Sequence, residues 1–196
     1  MAIRTQSFTG EAALLYINDL ARLRIEVFRD FPYLYDGDLA YEQEYLQAFV
    51  NAPESVLVIA FDGEAIVGAS TALPLQHETP NIQQPFLENS YDVSKVFYFG
   101  ESVLRKAYRG QGIGVEFFNY REAHAARLGG FEYLTFCGVV RPEDHPLRPE
   151  DYVPLDRFWR KRGFQQTDMY CYMVWKDVDE EAESAKMLRF WIKELT

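Results

Sequence analysis

Three glycines within five residues form the part of the sequence best suited to bind an anionic group. The run reads Arg109-Gly110-Gln111-Gly112-Ile113-Gly114 and leads into a segment of helical periodicity. Glycine lets the backbone turn tightly and approach a ligand without a Cβ atom in the way. At the start of a helix, unpaired amides and the positive end of the helix dipole favour a phosphate group. The pattern therefore indicates a phosphate-binding turn that needs no metal ion.

Two common phosphate-binding motifs do not fit this turn. No Lys-Ser or Lys-Thr pair follows the glycines, which excludes a Walker loop. A dinucleotide-binding fold is disfavoured because the glycines come after a predicted antiparallel hairpin rather than in a first βαβ unit. Arg105, Lys106 and Arg109 add positive charge beside the turn, and at short range this can offset the overall net charge of −10. A glycine-rich turn alone is weak evidence, so its structural context decides.

The elements that must position this turn are predicted from hydrophobic periodicity and turn residues. In chain order we predict a strand (2–8), a helix that one break could divide (10–29), a short helix (41–49), a hairpin (55–61 and 64–69), a loop with one helical turn at most (76–94), a strand (96–104), a helix (112–128), a strand (131–140), a loop (141–153), a helix (154–162) and two last strands (170–175 and 188–195). This order predicts an α/β (α+β mixed) fold, with a central mixed sheet flanked by helices on both faces.

Length, composition and charge narrow the function classes. The 196 residues are 48% hydrophobic, which suits a single domain over 1–196 with its own core. Cys137 and Cys171 belong to no metal-binding spacing, which favours a reduced, cytoplasmic setting. The sequence contains no signal core and no run of about 18 apolar residues, so no membrane association is expected. The net charge of −10 disfavours nucleic acid. It mildly favours a cationic or neutral acceptor, but solubility alone also explains it.

The turn and its surroundings together resemble the GNAT acetyltransferase superfamily. Its central pattern is a strand, then [Arg/Gln]-x-x-Gly-x-[Gly/Ala], then a helix, and Arg109, Gly112 and Gly114 match it after the strand 96–104. The resemblance extends to the hairpin 61–68 and to the segment Phe158-Trp159-Arg160-Lys161-Arg162-Gly163-Phe164. It implies an acetyl-CoA-dependent N-acyltransferase, which passes an acetyl or other short acyl group to a primary amine of a small molecule or peptide by direct attack.

The resemblance also implies where the acyl-CoA co-substrate would bind. The amides from about Gly110 to Val115 would hold the pyrophosphate, and the backbone of 102–104 would pair with the pantetheine arm. The thioester would lie in a gap between this strand and the strand that ends at Val140. The predicted binding residues are Ser102, Val103, Leu104, Arg109, Gly110, Gln111, Gly112, Ile113, Gly114 and Val115.

Direct transfer needs a group that accepts a proton from the attacking amine. Glu101 is the candidate general base, acting directly or through a water molecule, and a salt-bridged or amine-binding carboxylate is the alternative. Strict alternation would put Tyr98 and Ser102 on one face of the strand and Glu101 on the other, unless a bulge intervenes. Tyr98 and Ser102 therefore remain catalytic candidates.

One residue departs from the family pattern. A tyrosine commonly stands four residues before the Gly-Phe pair, where this chain has Trp159, and tryptophan cannot protonate a thiolate. Tyr108, Tyr152 or His145 could supply the proton instead, or the thiolate leaves with help from solvent. Trp159 also keeps open a second class of function, a non-catalytic acyl-CoA-binding regulatory module. A structural interaction domain without CoA binding is a third hypothesis.

Several segments remain harder to interpret from the sequence. Loops 31–38, 76–94 and 141–153 are expected to shape the acceptor site, but they do not identify the acceptor. Basic residues within 157–162 could meet the CoA 3′-phosphate or simply cover an exposed helix face. Cys137, inside an apolar strand, is expected to be a buried hydrophobe rather than a nucleophile. The oligomeric state, a homodimer included, is left open.

Overall fold

The computed structural model describes residues 3–195, and its elements follow the predicted order. Residue 2, where the first predicted strand begins, lies outside this range. In chain order the elements are β1 (Arg4–Phe8), α1 (Glu11–Leu14), α2 (Ile17–Phe28), α3 (Leu39–Asn51), β2 (Val56–Asp62), β3 (Ala65–Pro74), α4 (Pro80–Glu88), β4 (Val96–Leu104), α5 (Ile113–Leu128), β5 (Tyr133–Val139), α6 (Asp156–Lys161), β6 (Gln165–Trp175) and β7 (Ser184–Glu194).

Within residues 3–195 seven strands form one mixed sheet in the order β1-β2-β3-β4-β5-β7-β6. The pair β4 and β5 is parallel, and its crossover contains α5. The other neighbouring strands pair antiparallel, including the predicted hairpin of β2 and β3. The predicted mixed sheet is therefore confirmed.

Helices cover both faces of this sheet, as predicted. The α2 face, which α1 to α4 cover, buries an apolar layer that includes Leu20, Ile59 and Phe190. The α5 face, which α5 and α6 cover, buries a second layer that includes Phe97 and Phe117. Because each layer is closed by amphipathic helices, the sheet is a rigid base for the loops at the end of β4.

The segment 76–94 differs from the prediction, since it contains the nine-residue helix α4 instead of a loop with one turn. Pro80 occupies the first turn, where its missing N–H costs no hydrogen bond. The buried face of α4 consists of Ile82, Pro85 and Phe86, and the Phe86 ring contacts Phe190 at 4.9 Å. Packing of this buried face stabilises α4 enough to offset the cost of Pro85, a second proline inside the helix. Hydrophobic periodicity alone does not predict this result.

Candidate active site

The glycine-rich turn joins β4 to α5 through two residues with positive φ. Gly110 and Gly112 have φ of 77° and 88°, which glycine adopts without steric cost. Gly112 caps α5 without help from a side chain, and its carbonyl accepts hydrogen bonds from Val115 and Glu116. Among residues 3–195, no group accepts a hydrogen bond from the amides of residues 110–114. These unpaired amides and the positive helix end lie where the sequence predicts the anion site.

Side chains around the turn divide into anchored and exposed groups. Arg109 donates from Nε to the Leu104 carbonyl at 3.2 Å and stays exposed beside the turn. Arg105 instead makes a bidentate ion pair with Glu26, from Nε to Oε1 and from Nη2 to Oε2, each at 2.9 Å. A hydrogen bond to Glu26 is the main reason that the pKa of Arg105 is raised. The expectation that Arg105 adds free positive charge to the turn is therefore wrong, because Glu26 neutralises it.

A gap opens between β4 and β5 next to this turn. The two strands pair only at their starts, where Val96, Phe97 and Tyr98 face Tyr133, Leu134 and Thr135. Beyond that point β4 runs on to Leu104 and β5 to Val139 without pairing with each other. The edge of β4 that carries Ser102 to Leu104 is thus left without a neighbouring strand on this side.

A β-bulge in β4 decides which face its side chains reach. Ser102 pairs with Ser70, but Phe99 pairs with Ala72, so β4 holds one residue more than β3 across this stretch. As a result Tyr98 and Val103, which are an odd number of residues apart, belong to the same apolar layer on the α2 face. The bulge brings Glu101 to the Tyr98 face, while Ser102 is exposed.

Glu101 is held in a buried ion-pair cluster on the α2 face. Arg24 Nη1 lies 2.7 Å from Glu101 Oε2, and Arg24 Nε donates to Glu42 Oε2. Glu101 is 9% exposed and Glu42 is fully buried. Burial alone lowers the pKa of Arg24, but the facing charges, Glu101 first, raise it above its ordinary value. Within the described range neither Glu101 Oε1 nor Glu42 Oε1 has a hydrogen-bond partner.

Aromatic side chains and a cysteine surround this cluster. The Arg24 guanidinium lies over the Tyr45 ring, 4.6 Å from its centroid, and over Phe28 at 5.2 Å. The Tyr98 hydroxyl is 3.2 Å from Cys137 Sγ, and burial raises the pKa of Tyr98 well above 10. Cys137 is buried among apolar residues, which confirms its predicted environment.

Arg141 is one of several groups that hold the loop 31–38, which also bonds to the backbone at Lys176 and Val178. Arg141 donates to the Pro32 and Tyr33 carbonyls, at 2.7 Å each. Its guanidinium also makes a bidentate ion pair with Asp177, at 2.6 and 3.0 Å. The Phe31 ring in turn lies 5.7 Å from His145 and 4.7 Å from Tyr152. Two of the three predicted acceptor loops, 31–38 and 141–153, are therefore in contact.

The residues considered for thiolate protonation lie in different environments. Trp159 packs against Phe136 and Trp191 on the α5 face, at 5.0 and 5.1 Å between ring centroids. The Tyr108 hydroxyl donates to Asp62 Oδ2 at 2.9 Å. Tyr152 packs edge-on against Phe31 in the contact between the loops.

A groove of about 420 Å³ lies beside α6. It is lined by Val153, Pro154, Leu155, Arg157, Phe158 and Lys161. The Phe158 ring lies next to the glycine turn, since a Cβ added to Gly114 would be 3.6 Å from the Phe158 ring. The groove is therefore close to the turn and carries two cationic side chains.

Two other kinds of site are absent from the part of the chain that the structure describes. No group of three or more His, Cys, Asp or Glu side chains in residues 3–195 is arranged to hold a metal ion. No helix in this range has the length and apolarity needed to cross a membrane.

Arg24, Glu42 and Arg141 are the site residues that sequence reasoning missed. Each lies far from Glu101 along the chain, and no short motif connects them. For Arg24 and Glu42 the available signal was a charged residue within a helical stripe of otherwise apolar character, where buried pairs can form. Arg141 lies in the loop 141–153 and gave no such signal.

The fold is similar to those of solved acetyltransferases at low sequence identity. An acetyltransferase from Thermus thermophilus has a TM-score of 0.60 and 14% identity, covering 100% of this chain and 98% of that chain. The ribosomal-protein-alanine N-acetyltransferase from Brucella melitensis has a TM-score of 0.61 and 14% identity over 100% of both chains. Arabidopsis thaliana NAA60, solved in complex with acetyl-CoA, has a TM-score of 0.64 and 16% identity over 99% of both chains.

Sequence comparison identifies the family more directly. No curated protein sequence matches the chain. The family model described as acetyltransferase (GNAT) family matches residues 20–164. That region contains the bulged strand, the glycine turn, the gap between β4 and β5 and the residue pair Arg24 and Glu42. The match covers well over half of the chain, and the chain therefore belongs to the acetyltransferase (GNAT) family.

Proposed function

We propose that this protein transfers an acetyl group from acetyl-CoA to a primary amine of a small molecule or peptide by direct attack. One observation carries the proposal: unpaired amides of residues 110–114 lie beside the gap that exposes the edge of β4, and the same strand presents Glu101. The unpaired amides suit the pyrophosphate of CoA, and the exposed edge of β4 suits its extended pantetheine arm. Glu101 suits a proton transfer.

The residues present fit acetyl-CoA. Gly110 and Gly112 have no Cβ, so a pyrophosphate can approach their amides closely. The edge of β4 at 102–104 offers backbone groups to the pantetheine amides. Arg157 and Lys161 in the groove beside α6 suit a further phosphate group. The complex of the similarly folded NAA60 with acetyl-CoA supports the same assignment.

Glu101 is the proposed general base. The amine nitrogen attacks the thioester carbonyl carbon, and the proton lost from nitrogen passes to Glu101 directly or through water. The C–S bond breaks with its electron pair on the departing CoA thiolate, which takes a proton from solvent. Glu101 Oε1 suits this role because no protein group in the described range bonds to it. Tyr98, which burial keeps protonated, and the exposed Ser102 are proposed to line the acyl site.

The acceptor side favours a cationic amine. Glu78 faces the same region as Glu101, and its pKa is raised first by burial and then by the charge on Glu101. Glu42 and Glu101 share the guanidinium of Arg24, and Glu78 is close enough to Glu101 for the two carboxylates to interact. The net charge of −10 acts in the same direction at longer range.

A second candidate function is a non-catalytic acyl-CoA-binding regulatory module. It is favoured by Trp159, which has no hydroxyl to protonate a thiolate, and by the ion pair that occupies one oxygen of Glu101. In this case the anion site would be retained without transfer.

Two measurements test both candidates. Acetyl-CoA and CoA, but not NADH or ATP, should raise the melting temperature by about 5–10 °C at 100 times the dissociation constant. A panel of primary amines is then screened for release of CoA thiol from acetyl-CoA. Binding with amine-dependent release supports the transferase, binding without release supports the regulatory module, and no binding by folded protein would overturn both.

A further inference from the structure

We propose that Glu42 is a positioning residue that makes Glu101 able to take up a proton, by sharing the guanidinium of Arg24 with it. The inference rests on the proposed role of Glu101 as the base. Glu42 belongs to α3, on the far side of Arg24 from the strand, and its part in the reaction would be indirect.

The geometry places one cation between two carboxylates. Arg24 reaches Glu42 through Nε and Glu101 through Nη1, the latter at 2.7 Å. All three side chains are largely withdrawn from water, with exposed side-chain fractions of 11% for Arg24, 7% for Glu101 and 0% for Glu42. Water therefore screens their mutual interactions weakly.

The net charge of Arg24, Glu42 and Glu101 determines whether uptake of a proton is favourable. Two ionised carboxylates against one guanidinium leave a buried net charge of −1. A buried net charge is unfavourable, and uptake of one proton removes it. Without the charge of Glu42, the pair of Arg24 and Glu101 is already neutral, and a proton on Glu101 would leave a buried net charge of +1. The carboxylate of Glu42 therefore favours protonation of Glu101.

The two carboxylates differ in their position relative to the gap. Glu42 is fully buried between α2 and α3, whereas Glu101 stands at the bulge beside the gap between β4 and β5. Glu101 is therefore the carboxylate next to the gap where the amine is proposed to react. The Oε1 atoms of both carboxylates are buried and unbonded within residues 3–195, so this feature does not distinguish them.

The other titratable groups near Glu101 do not produce the effect proposed for the charge of Glu42. They are Tyr33, Tyr35, Tyr45, Glu78, Tyr98, Cys137 and, from α5 on the opposite face, Arg121. Burial raises the pKa of each of these four tyrosines, so they remain neutral. Glu78 adds negative charge and Arg121 positive charge, but neither makes an ion pair with Arg24 or Glu101.

The test is a pH titration that needs no acceptor. Protein labelled with ¹³C in the glutamate carboxyl groups is followed by NMR, and the Glu101 resonance is assigned by its loss in Glu101→Gln. Glu42→Gln should lower the titration midpoint of Glu101. Glu44→Gln removes an exposed charge from the same helix and should leave the midpoint unchanged. Glu42→Asp, which keeps the charge, should restore most of the wild-type midpoint.

A midpoint that stays the same or rises in Glu42→Gln would overturn the inference. Glu42→Leu is the second variant if the glutamine amide prevents folding, because a leucine buries no polar atom. Acetyl-CoA should still raise the melting temperature of both variants. With an accepted amine, the acidic limb of the kcat/KM profile should also move to lower pH in Glu42→Gln. Failure of wild-type protein to bind acetyl-CoA, or full turnover by Glu101→Gln, would instead count against the proposed function.

Discussion

The side-chain oxygen of Thr71 accepts a hydrogen bond of 3.2 Å from the backbone amide of Glu101. The bond lies where β4 carries its extra residue opposite β3. Gly100 leaves the room for it, since a Cβ at that position would come within 2.5 Å of Thr71 Oγ1. Thr71 and Gly100 together therefore stabilise the bulge that turns Glu101 toward Arg24.

Replacing Thr71 by valine should separate catalysis from co-substrate binding. The Glu101 amide loses its acceptor, at a cost of about 1–3 kcal/mol in the free energy of unfolding. Displacement of Glu101 should lower amine-dependent turnover by roughly 10–100-fold, while the Kd for acetyl-CoA stays unchanged. Urea unfolding, steady-state kinetics and calorimetry measure the three quantities.

Thr167→Val is the matched control for this prediction. The Thr167 hydroxyl bonds to the Phe190 carbonyl at 2.9 Å and accepts from the Met169 amide at 3.1 Å, away from the bulge. Its loss should reduce stability to a similar extent without reducing turnover. An equal loss of turnover in both variants would show that general destabilisation, and not the bulge, is responsible.

A substitution in the glycine turn should selectively reduce the affinity for acetyl-CoA. Gly112 and Gly129 stand at opposite ends of α5 with φ of 88° and 75°, and a Cβ at either would meet no atom within 4 Å. Alanine at each position should cost about 1–2 kcal/mol of stability through backbone strain alone. Only Gly112→Ala should weaken acetyl-CoA binding, by about tenfold, because it alters the amides of the turn. Calorimetry on the two variants checks this, and an equal effect of Gly129→Ala would contradict it.

Sequence reasoning could predict the parts of the site that depend on consecutive residues. The bounds of β4, Val96–Leu104, match the prediction at both ends, and α5 begins one residue after the predicted start. Both follow from an apolar run and a glycine-rich stop, which are local signals. The bulge is not local, because it depends on Thr71 in the neighbouring strand. The sequence therefore indicated Glu101 but not the face it occupies.

The ion pairs of the site also could not be predicted from local sequence signals. The contact of Arg24 with Glu42 and Glu101 joins two helices and a strand, and each residue alone resembles an ordinary charge on an amphipathic element. Similarly, the aromatic loop 31–38 was expected near the acceptor, but its fastening by Arg141 depends on a turn between β6 and β7. Pairings between distant segments require the tertiary structure.

Arg141 offers a prediction about the acceptor loop. Arg141→Met removes the bonds to two loop carbonyls and the bidentate partner of Asp177. Stability should fall by about 1–3 kcal/mol, because Lys186 still pairs with Asp177. The loosened loop should raise KM for the amine severalfold while leaving acetyl-CoA affinity unchanged. Arg29→Met is the control, because it removes an exposed ion pair to Asp36 of the same loop and should cost less than about 1 kcal/mol. A comparable KM for the amine in wild type and Arg141→Met would contradict the fastening role.

The turn that carries Asp177 predicts how stability depends on pH. A hydrogen bond from Lys186, at 2.6 Å, is the main reason that the pKa of Glu180 is lowered from 4.5 to about 2. The Asp177 amide and the Ser184 hydroxyl also donate to this carboxylate. Because the folded-state pKa lies below the unfolded value, the stabilisation is complete above pH 4.5 and is lost as the pH falls toward 2.

Glu180→Gln should therefore destabilise the protein most at neutral pH. The side chain is 33% exposed, so solvent screening limits the expected loss to about 1 kcal/mol or less at pH 7. Urea unfolding at several pH values should show this difference shrinking between pH 4.5 and 2, as the wild-type carboxylate becomes protonated. Glu183→Gln, an exposed change in the same turn, should show little difference at any pH. A loss that stays constant down to pH 2 would mean that Glu180 stabilises the turn through shape or uncharged hydrogen bonds rather than through its charge.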